Sequence, residues 1–246
     1  MKILFLGNDK RYDILLDILK EKYDVYAIDY EYRNDIKKGD ISSLNVYDII
    51  VLPMSGIKDN KVGNIRIDKS IFDSYRGIIY TGIKKNLRGN IISFLDDEDI
   101  VLENTLITVD GIIDRIKDIN RNNICILGYG NIGSKLYNKI CKEYNVYVGV
   151  KDKGEDILNC SFITSNYKDM EKIIMSSDLV INTVAANIIP SYILSKYKGY
   201  FLDIASAPYA INQEDINNYS FEYELYSSIP SKYDPKRAGK ILLKKF

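Results

Sequence analysis

The stretch CILGYGNIGSKLYNKI, residues 125–140, sets Gly128, Gly130 and Gly133 in a G-x-G-x-x-G spacing between an apolar run and a segment of helical periodicity. In a strand–turn–helix context each glycine has a job: a tight turn, close approach of a pyrophosphate, and close helix–strand packing. The helix that follows offers amide donors and the positive end of its dipole to phosphate. Gly128, Tyr129, Gly130, Asn131, Ile132 and Gly133 are therefore the expected dinucleotide-binding turn. The competing reading is a tight βα turn without a ligand. About half of the chain precedes this motif and needs its own account.

Working outward, the next strand is VYVGV, 146–150, followed by Lys151, Asp152 and Lys153. An acid there suits the 2′-hydroxyl of NAD and a cation the 2′-phosphate of NADP. Lys151, directly after the strand, favours NADP, and Asp152 leaves NAD open. DLVINT ends in Asn182-Thr183, and YFLDIA leads to Ala205-Ser206. Carboxyl ends of parallel strands carry the ligands of doubly wound sheets, so these four residues are candidates for the nicotinamide side, with plain turn chemistry as the alternative.

A second βα series lies ahead of the motif. KILFL (2–6), VYAI (25–28), DIIVL (48–52) and GIIY (77–80) are short apolar runs of the kind that parallel sheets bury on both faces. RYDILLDILKEKY places apolar positions 14, 15, 18 and 19 on one helical face. Apolar positions 109, 112, 113, 116 and 119 predict a connecting helix, with Thr108 as its N-cap. Near the end, Asp234-Pro235 reads as an N-cap and first helical position, with Ile241, Leu242 and Phe246 as the apolar face. The predicted class is α/β: two Rossmann-like domains with parallel sheets, joined by a connecting helix, with a cleft between them. The expected boundaries are 1–107 for a substrate domain, 108–120 for the helix, 121–230 for the NAD(P) domain, and 231–246 for a terminal helix near the domain junction.

Composition bounds the function. Of 246 residues, 46% are apolar and 28% charged, as in ordinary globular proteins. Lys+Arg and Asp+Glu both total 34, so no electrostatic case for nucleic acid exists. No apolar run approaches a membrane span, and MKILFLGNDKRYD reads as a first strand rather than a secretory leader. Cys125, Cys141 and Cys160 are scattered without CxxC spacing, which argues against a disulfide or thiolate-metal framework and for a cytoplasmic setting. The chain has no histidine. Acid–base chemistry must then fall to a carboxylate, Lys, Tyr, Cys or water, and no His-dependent hydroxyacid dehydrogenase mechanism is possible.

The first βα turn, FLGNDKRYDIL, has one glycine, so no second dinucleotide is expected there. Lys10 and Arg11 flank a helix start suited to a small anion. Ser55-Gly56 and Thr81-Gly82 each follow a predicted strand and join Asp9 on one sheet edge.

LGNDKRYDIL, PMSGIKDNKV, IIYTGI, DEDIVLENTLITVDGII, CILGYGNIGSKL, DLVINTVAANII, FLDIASAPYAIN and SIPSKYDPKRAGKIL follow one another along nearly the whole chain. In this order they resemble the A subunit of dipicolinate synthase. The blocks 97–113 and 229–242 carry most of the specificity, because a simple nucleotide-binding domain does not require them. The chain departs from that pattern in a shorter first domain, in Tyr209-Ala210, and in Ser227-Ser228 where a glycine-like turn is expected. The resemblance implies oxidation of a cyclic dicarboxylate, hydroxy-tetrahydrodipicolinate or its dehydrated form, to dipicolinate with NAD(P)+ during sporulation. It also implies a partner, the flavoprotein-like B subunit, with the mother-cell cytoplasm as location. For a dianionic substrate, Arg11 and Arg237 are the expected clamps, Asp9 a proton acceptor, and Thr105 and Thr108 hydrogen-bonding groups at the mouth of the connecting helix. Two other readings stay open: another NAD(P)-dependent oxidoreductase of a small carboxylate, and a non-catalytic nucleotide-binding subunit.

Overall fold

The computed structural model describes residues 1–29, 33–85, 87–150, 163–164 and 167–246. The chain divides into two compact units, Met1–Asn104 with Pro230–Phe246, and Thr105–Ile229.

The first unit carries β1 (Lys2–Leu6), α1 (Tyr12–Leu19), β2 (Asp24–Ile28), β3 (Lys37–Lys38), β4 (Ile49–Val51), β5 (Lys61–Val62), β6 (Ile65–Arg66), β7 (Ile78–Thr81), β8 (Asn90–Ser93) and the start of α2 (Glu98–Ile119). Six strands form a parallel sheet in the order β3-β2-β1-β4-β7-β8, and β5 and β6 make a separate antiparallel hairpin. Alternation along the strands splits the core. Ile3 and Phe5 face one side with α1, while Leu4 and Leu6 face the other. On that other side, Leu44 and Phe72 from two 3₁₀ turns, Ile41–Val46 and Lys69–Phe72, cover the sheet together with Val62 of the hairpin. In α1 the buried positions are Tyr12, Leu15, Leu16 and Leu19. The predicted face is thus rotated: Ile18 is exposed, and Tyr12 takes its place at the i, i+3, i+4, i+7 spacing.

The second unit holds the rest of α2, then β9 (Asn123–Leu127), α3 (Asn131–Ile140), β10 (Asn145–Gly149), β11 (Ile163–Thr164), α4 (Tyr167–Met175), β12 (Leu179–Asn182), α5 (Ser191–Leu194), β13 (Tyr200–Asp203) and β14 (Glu222–Leu225). Its six strands are also parallel, in the order β11-β10-β9-β12-β13-β14, and strand order reverses between β9 and β12. Ile124, Ile126, Leu179 and Ile181 pack with Val109, Ile112 and Ile116 of α2, and Cys125, Leu127 and Val180 pack on the opposite face with α4 and α5. Each such side chain, fully buried, contributes roughly 1.5–3 kcal/mol of transfer free energy. After β14 the chain returns to the first unit through α6 (Ile229–Tyr233) and α7 (Pro235–Leu242).

Two boundaries differ from the sequence reading. The predicted Thr108 N-cap is not a helix start, because α2 is already under way at Glu98. The Asp97 carboxylate accepts from the amides of Asp99 and Ile100, at 3.1 and 3.2 Å, and two acids in the first turn favour the dipole. Thr105 and Thr108 therefore lie buried inside α2, not at its mouth. The division between units falls within this helix, between Asn104 and Thr105. The terminal helix keeps its predicted start: Asp234 accepts from the Arg237 amide at 2.9 Å, and Pro235 stands at N1. Its Gly239 lies so close to α1 that a Cβ would come within 2.4 Å of the Arg11 carbonyl oxygen. Among the described residues no helix is long and apolar enough to cross a membrane.

Candidate functional site

In the second unit the glycines sit between β9 and α3, next to the reversal of strand order. Gly128 has φ +97°, and a Cβ there would meet the Thr183 hydroxyl at 2.5 Å and Val184 at 2.7 Å. Only glycine takes that turn without strain. At Gly133 a Cβ would stand 2.2 Å from the Gly128 carbonyl oxygen, so its absence lets α3 close onto the strand. Gly130, the N-cap of α3, is the opposite case: a Cβ would have nothing within 4 Å. The middle glycine thus borders open space at a helix start, where the first amides of α3 have no intrahelical acceptor. This is the cradle a pyrophosphate requires, and the three positions divide the work as the motif demands. The turn is pinned from both sides, by Gly128 N–H to the Gly149 carbonyl (2.8 Å) and Thr183 N–H to the Leu127 carbonyl (3.0 Å). Asn131 and Ile132 form the first turn of α3, and the Tyr129 ring stands 6.0 Å from that of Tyr137. Lys151 lies outside the described residues.

The carboxyl ends of β12 and β13 show a network that the sequence reading misses. Asn182 is fully buried: its amide donates to Asp203 (2.8 Å) and the Val184 carbonyl (2.9 Å), and its carbonyl accepts from Val184 N–H (3.1 Å). Thr183 donates its hydroxyl to the Leu127 carbonyl at 2.8 Å. The Asn182 side chain therefore ties two strand ends together. Ala205 is buried and Ser206 exposed, in the loop that Asp203 anchors. Burial pushes the Asp203 carboxyl up, against hydrogen bonds from Asn182, Ala210, Ala205 and Tyr223 that hold it down. A lone acid inside the apolar run YFLDIA is the available signal, since a strand interior tolerates a carboxylate only among donors. Cys125 is fully buried and its thiol is pushed up by desolvation, which removes it from the acid–base candidates.

In the first unit the equivalent turn is differently furnished. Gly7 has φ +81°, but the hairpin tip packs over it: a Cβ on Gly63 would reach the Gly7 Cα at 3.3 Å and Asn8 N at 3.4 Å. Asp29, just past β2 where a dinucleotide domain keeps its ribose-binding acid, accepts instead from Asn64 N–H (2.8 Å) and the Asn64 side chain (3.3 Å). The signal for this hairpin is Gly63-Asn64 between Val62 and Ile65, a two-residue turn flanked by apolar residues.

The predicted substrate-binding residues of this unit are placed as follows. Asp9 and Arg11 form a partly buried bidentate pair, with Nε to Oδ1 at 2.8 Å and Nη2 to Oδ2 at 2.6 Å. Arg237 pairs with Glu103 of α2. Ser55-Gly56 and Thr81-Gly82 do come together at the ends of β4 and β7. A Cβ on Gly82 would stand 2.2 Å from the Met54 carbonyl, and Gly56 has φ +65° beside Ile83. The Thr81 hydroxyl is within reach of the Pro53 and Ile83 carbonyls, at 3.4 and 3.3 Å. Close packing of two loops explains both glycines. Ser228 keeps φ +58°, so the glycine-like backbone expected at Ser227-Ser228 persists on a serine.

Neither a protein-family model nor a curated protein sequence matches the chain. Solved structures do. The dipicolinate synthase A subunit from Bacillus halodurans superposes with a TM-score of 0.82 at 20% identity, over 99% of this chain and 95% of that one. Its counterpart from Bacillus subtilis gives 0.75 at 21% identity, over 100% and 94%. A D-2-hydroxyisocaproate dehydrogenase gives 0.57 at 10% identity, over 99% and 94%. The likeness is one of fold: this chain has the two-domain, Rossmann-like architecture of the 2-hydroxyacid dehydrogenase type, shared along its whole length with the two dipicolinate synthase A subunits.

Proposed function

We propose that the chain is an NAD(P)-dependent oxidoreductase that does the work of a dipicolinate synthase A subunit, with NADP the favoured cofactor. The observation that carries this reading is the open Gly130 position at the start of α3, framed by the glycine-requiring Gly128 turn and the tight Gly133 packing. The whole-chain fold likeness to two dipicolinate synthase A subunits supports a small cyclic dicarboxylate as the substrate of this reading. A bound nicotinamide would supply the hydride acceptor. Gly130 admits the pyrophosphate, the α3 amides hold it, and Thr183 fixes the turn. In this reading hydroxy-tetrahydrodipicolinate loses water, and the dehydrated form gives a hydride to NAD(P)+ and a proton to a base to become the pyridine dicarboxylate, with gain of aromaticity as the driving force. The flavoprotein-like B subunit, the partner, belongs to the same proposal, as does the mother-cell cytoplasm for location.

In the first unit, Asp9 and Arg11 act as a pair rather than separately. A substrate carboxylate that takes the Arg11 guanidinium frees Asp9 Oδ2 to accept the proton, while Oδ1 keeps its bond from the Arg11 backbone N–H (3.1 Å). Arg237 changes partner from Glu103 in the same way. The pairing of both cations also favours a second reading, a nucleotide-holding subunit without turnover.

One experiment separates the two. The purified chain is mixed with freshly generated hydroxy-tetrahydrodipicolinate and NADP+ or NAD+, with and without the candidate partner, and reduced cofactor and pyridine product are followed together. Product rising in step with cofactor reduction establishes the oxidation. Binding of NADPH without turnover in either mixture leaves the holding subunit.

A further inference from the structure

The end of β13 buries a full carboxylate, and burying an ion is unfavourable by several kcal/mol unless its lone pairs are met. At Asp203 they are met from three segments. Oδ1 accepts from Asn182 at the end of β12 (2.8 Å) and from Ala205 N–H at the start of the following loop (3.2 Å). Oδ2 accepts from Ala210 N–H at the far end of that loop (3.0 Å), and the Tyr223 hydroxyl of β14 completes the shell. Asn182 passes the constraint on, because both ends of its amide grip Val184, whose side chain backs the Gly128 turn. One buried charge thus fixes the loops after β12 and β13 to each other and to the glycine turn. Core packing alone would be served as well by an apolar residue.

In a doubly wound sheet the dinucleotide lies across the carboxyl edge with its pyrophosphate at the central turn. The β10 side then takes the adenosine half, and the β12–β13 side the nicotinamide half. We propose that Asp203 is a positioning residue for the nicotinamide half, holding Thr183 and the Ala205–Ser206 loop as one rigid floor. This rests on the second unit being the nucleotide domain.

The test uses the full chain and two probes, NADPH and 2′-phospho-ADP-ribose, which lacks the nicotinamide, each titrated by calorimetry. In Asp203→Asn an amide N–H₂ replaces one oxygen and meets a backbone donor, so the loop shifts. The expected result is NADPH affinity down about tenfold or more, with 2′-phospho-ADP-ribose within about twofold of the parent. Equal loss of both probes, or loss of neither, overturns the assignment. Tyr223→Phe removes one donor, together with the bond that its hydroxyl accepts from Gln213 (2.9 Å), and keeps the charge and the other three bonds to Asp203, so it serves where Asp203→Asn does not fold. Its loss is smaller and again confined to NADPH, and equal effects on both probes overturn the assignment there too. If the parent chain binds neither probe, the nucleotide reading fails first, and visibly so.

Discussion

The two units place a βα turn at the same point of the same strand order and finish it in opposite ways. At Gly7 the turn is closed by the chain itself: Gly63 presses onto it, and Asn64 occupies the Asp29 carboxylate. At Gly130 the turn is open, and a side chain would meet nothing. Both begin with a glycine at positive φ, +81° and +97°, so the glycine-requiring backbone is common to a turn that is filled and one that is open. The difference lies in what covers the middle of the turn. A positive-φ glycine after a first strand marks the architecture, and open space at Gly130 is the feature on which the proposed nucleotide site rests.

Filling the open turn with charge attacks that difference directly. Gly130→Asp places a carboxylate where the pyrophosphate belongs, yet Asp is a favoured N-cap and the position has room. NADPH affinity is expected to fall at least about a hundredfold, roughly 3 kcal/mol, through like charge and lost space, while the melting temperature holds or rises slightly. Retained affinity measured by fluorescence titration would remove Gly130 from the site. A parallel drop in melting temperature would instead show that the turn needs glycine for its own packing.

The closed turn gives the reverse expectation. Gly63→Ala forces a side chain into φ +59° with its Cβ 2.5 Å from the Asp29 carboxylate. Destabilisation of about 1–2 kcal/mol in urea unfolding is expected, with nucleotide affinity unchanged. Calorimetry should give one nucleotide per chain in parent and variant alike. A second equivalent of nucleotide on loosening the hairpin would mean that the first turn is a gated site rather than a filled one.

How much of this is legible in the sequence follows from where the information resides. Buried parallel strands announce themselves as apolar runs, so β1, β2, β4, β7, β9, β10, β12 and β13 fall within a residue or two of the runs read from sequence. The three glycines carry their own geometry in their spacing. The start of α2 is misplaced by periodicity because Ile100, Val101 and Leu102 run together between acids, and the regular apolar stripe read from sequence begins only at Val109. Asp9 and Arg11 stand out singly, but their mutual pairing is a matter of side-chain rotamer that no spacing encodes. Asp203 escapes notice as a centre because its donors come from Asn182, Ala205, Ala210 and Tyr223, which only the folded sheet brings together.

A weaker effect concerns a second closure that the first unit makes and the second does not need. Its C-terminal tail is strapped down along the start of α2: Lys245 pairs with Asp97, Lys244 with Asp99 at 2.7 Å, and Arg237 with Glu103. The Tyr80 hydroxyl donates to the Lys245 carbonyl at 2.9 Å, and the Phe246 ring lies 5.1 Å from that of Tyr80. The Lys245 ammonium, with the amides of Ile100 and Asp99, holds the Asp97 carboxyl below its ordinary value of 3.8. A carboxyl depressed in the folded state contributes stability that is present above the unfolded value and is lost as pH falls through the folded one. Amide exchange at residues 243–246 should therefore quicken in acid, comparing about pH 5 with about pH 3 after correction for the intrinsic rate, while β9 and β12 stay protected. Asp97→Asn should exchange faster at the higher pH and lose most of the acid response. An acid response unchanged in that variant would remove the Asp97–Lys245 pair from the closure. The tail would then be held by its other contacts, the Phe246 ring on Tyr80 and the Tyr80 hydroxyl on the Lys245 carbonyl among them.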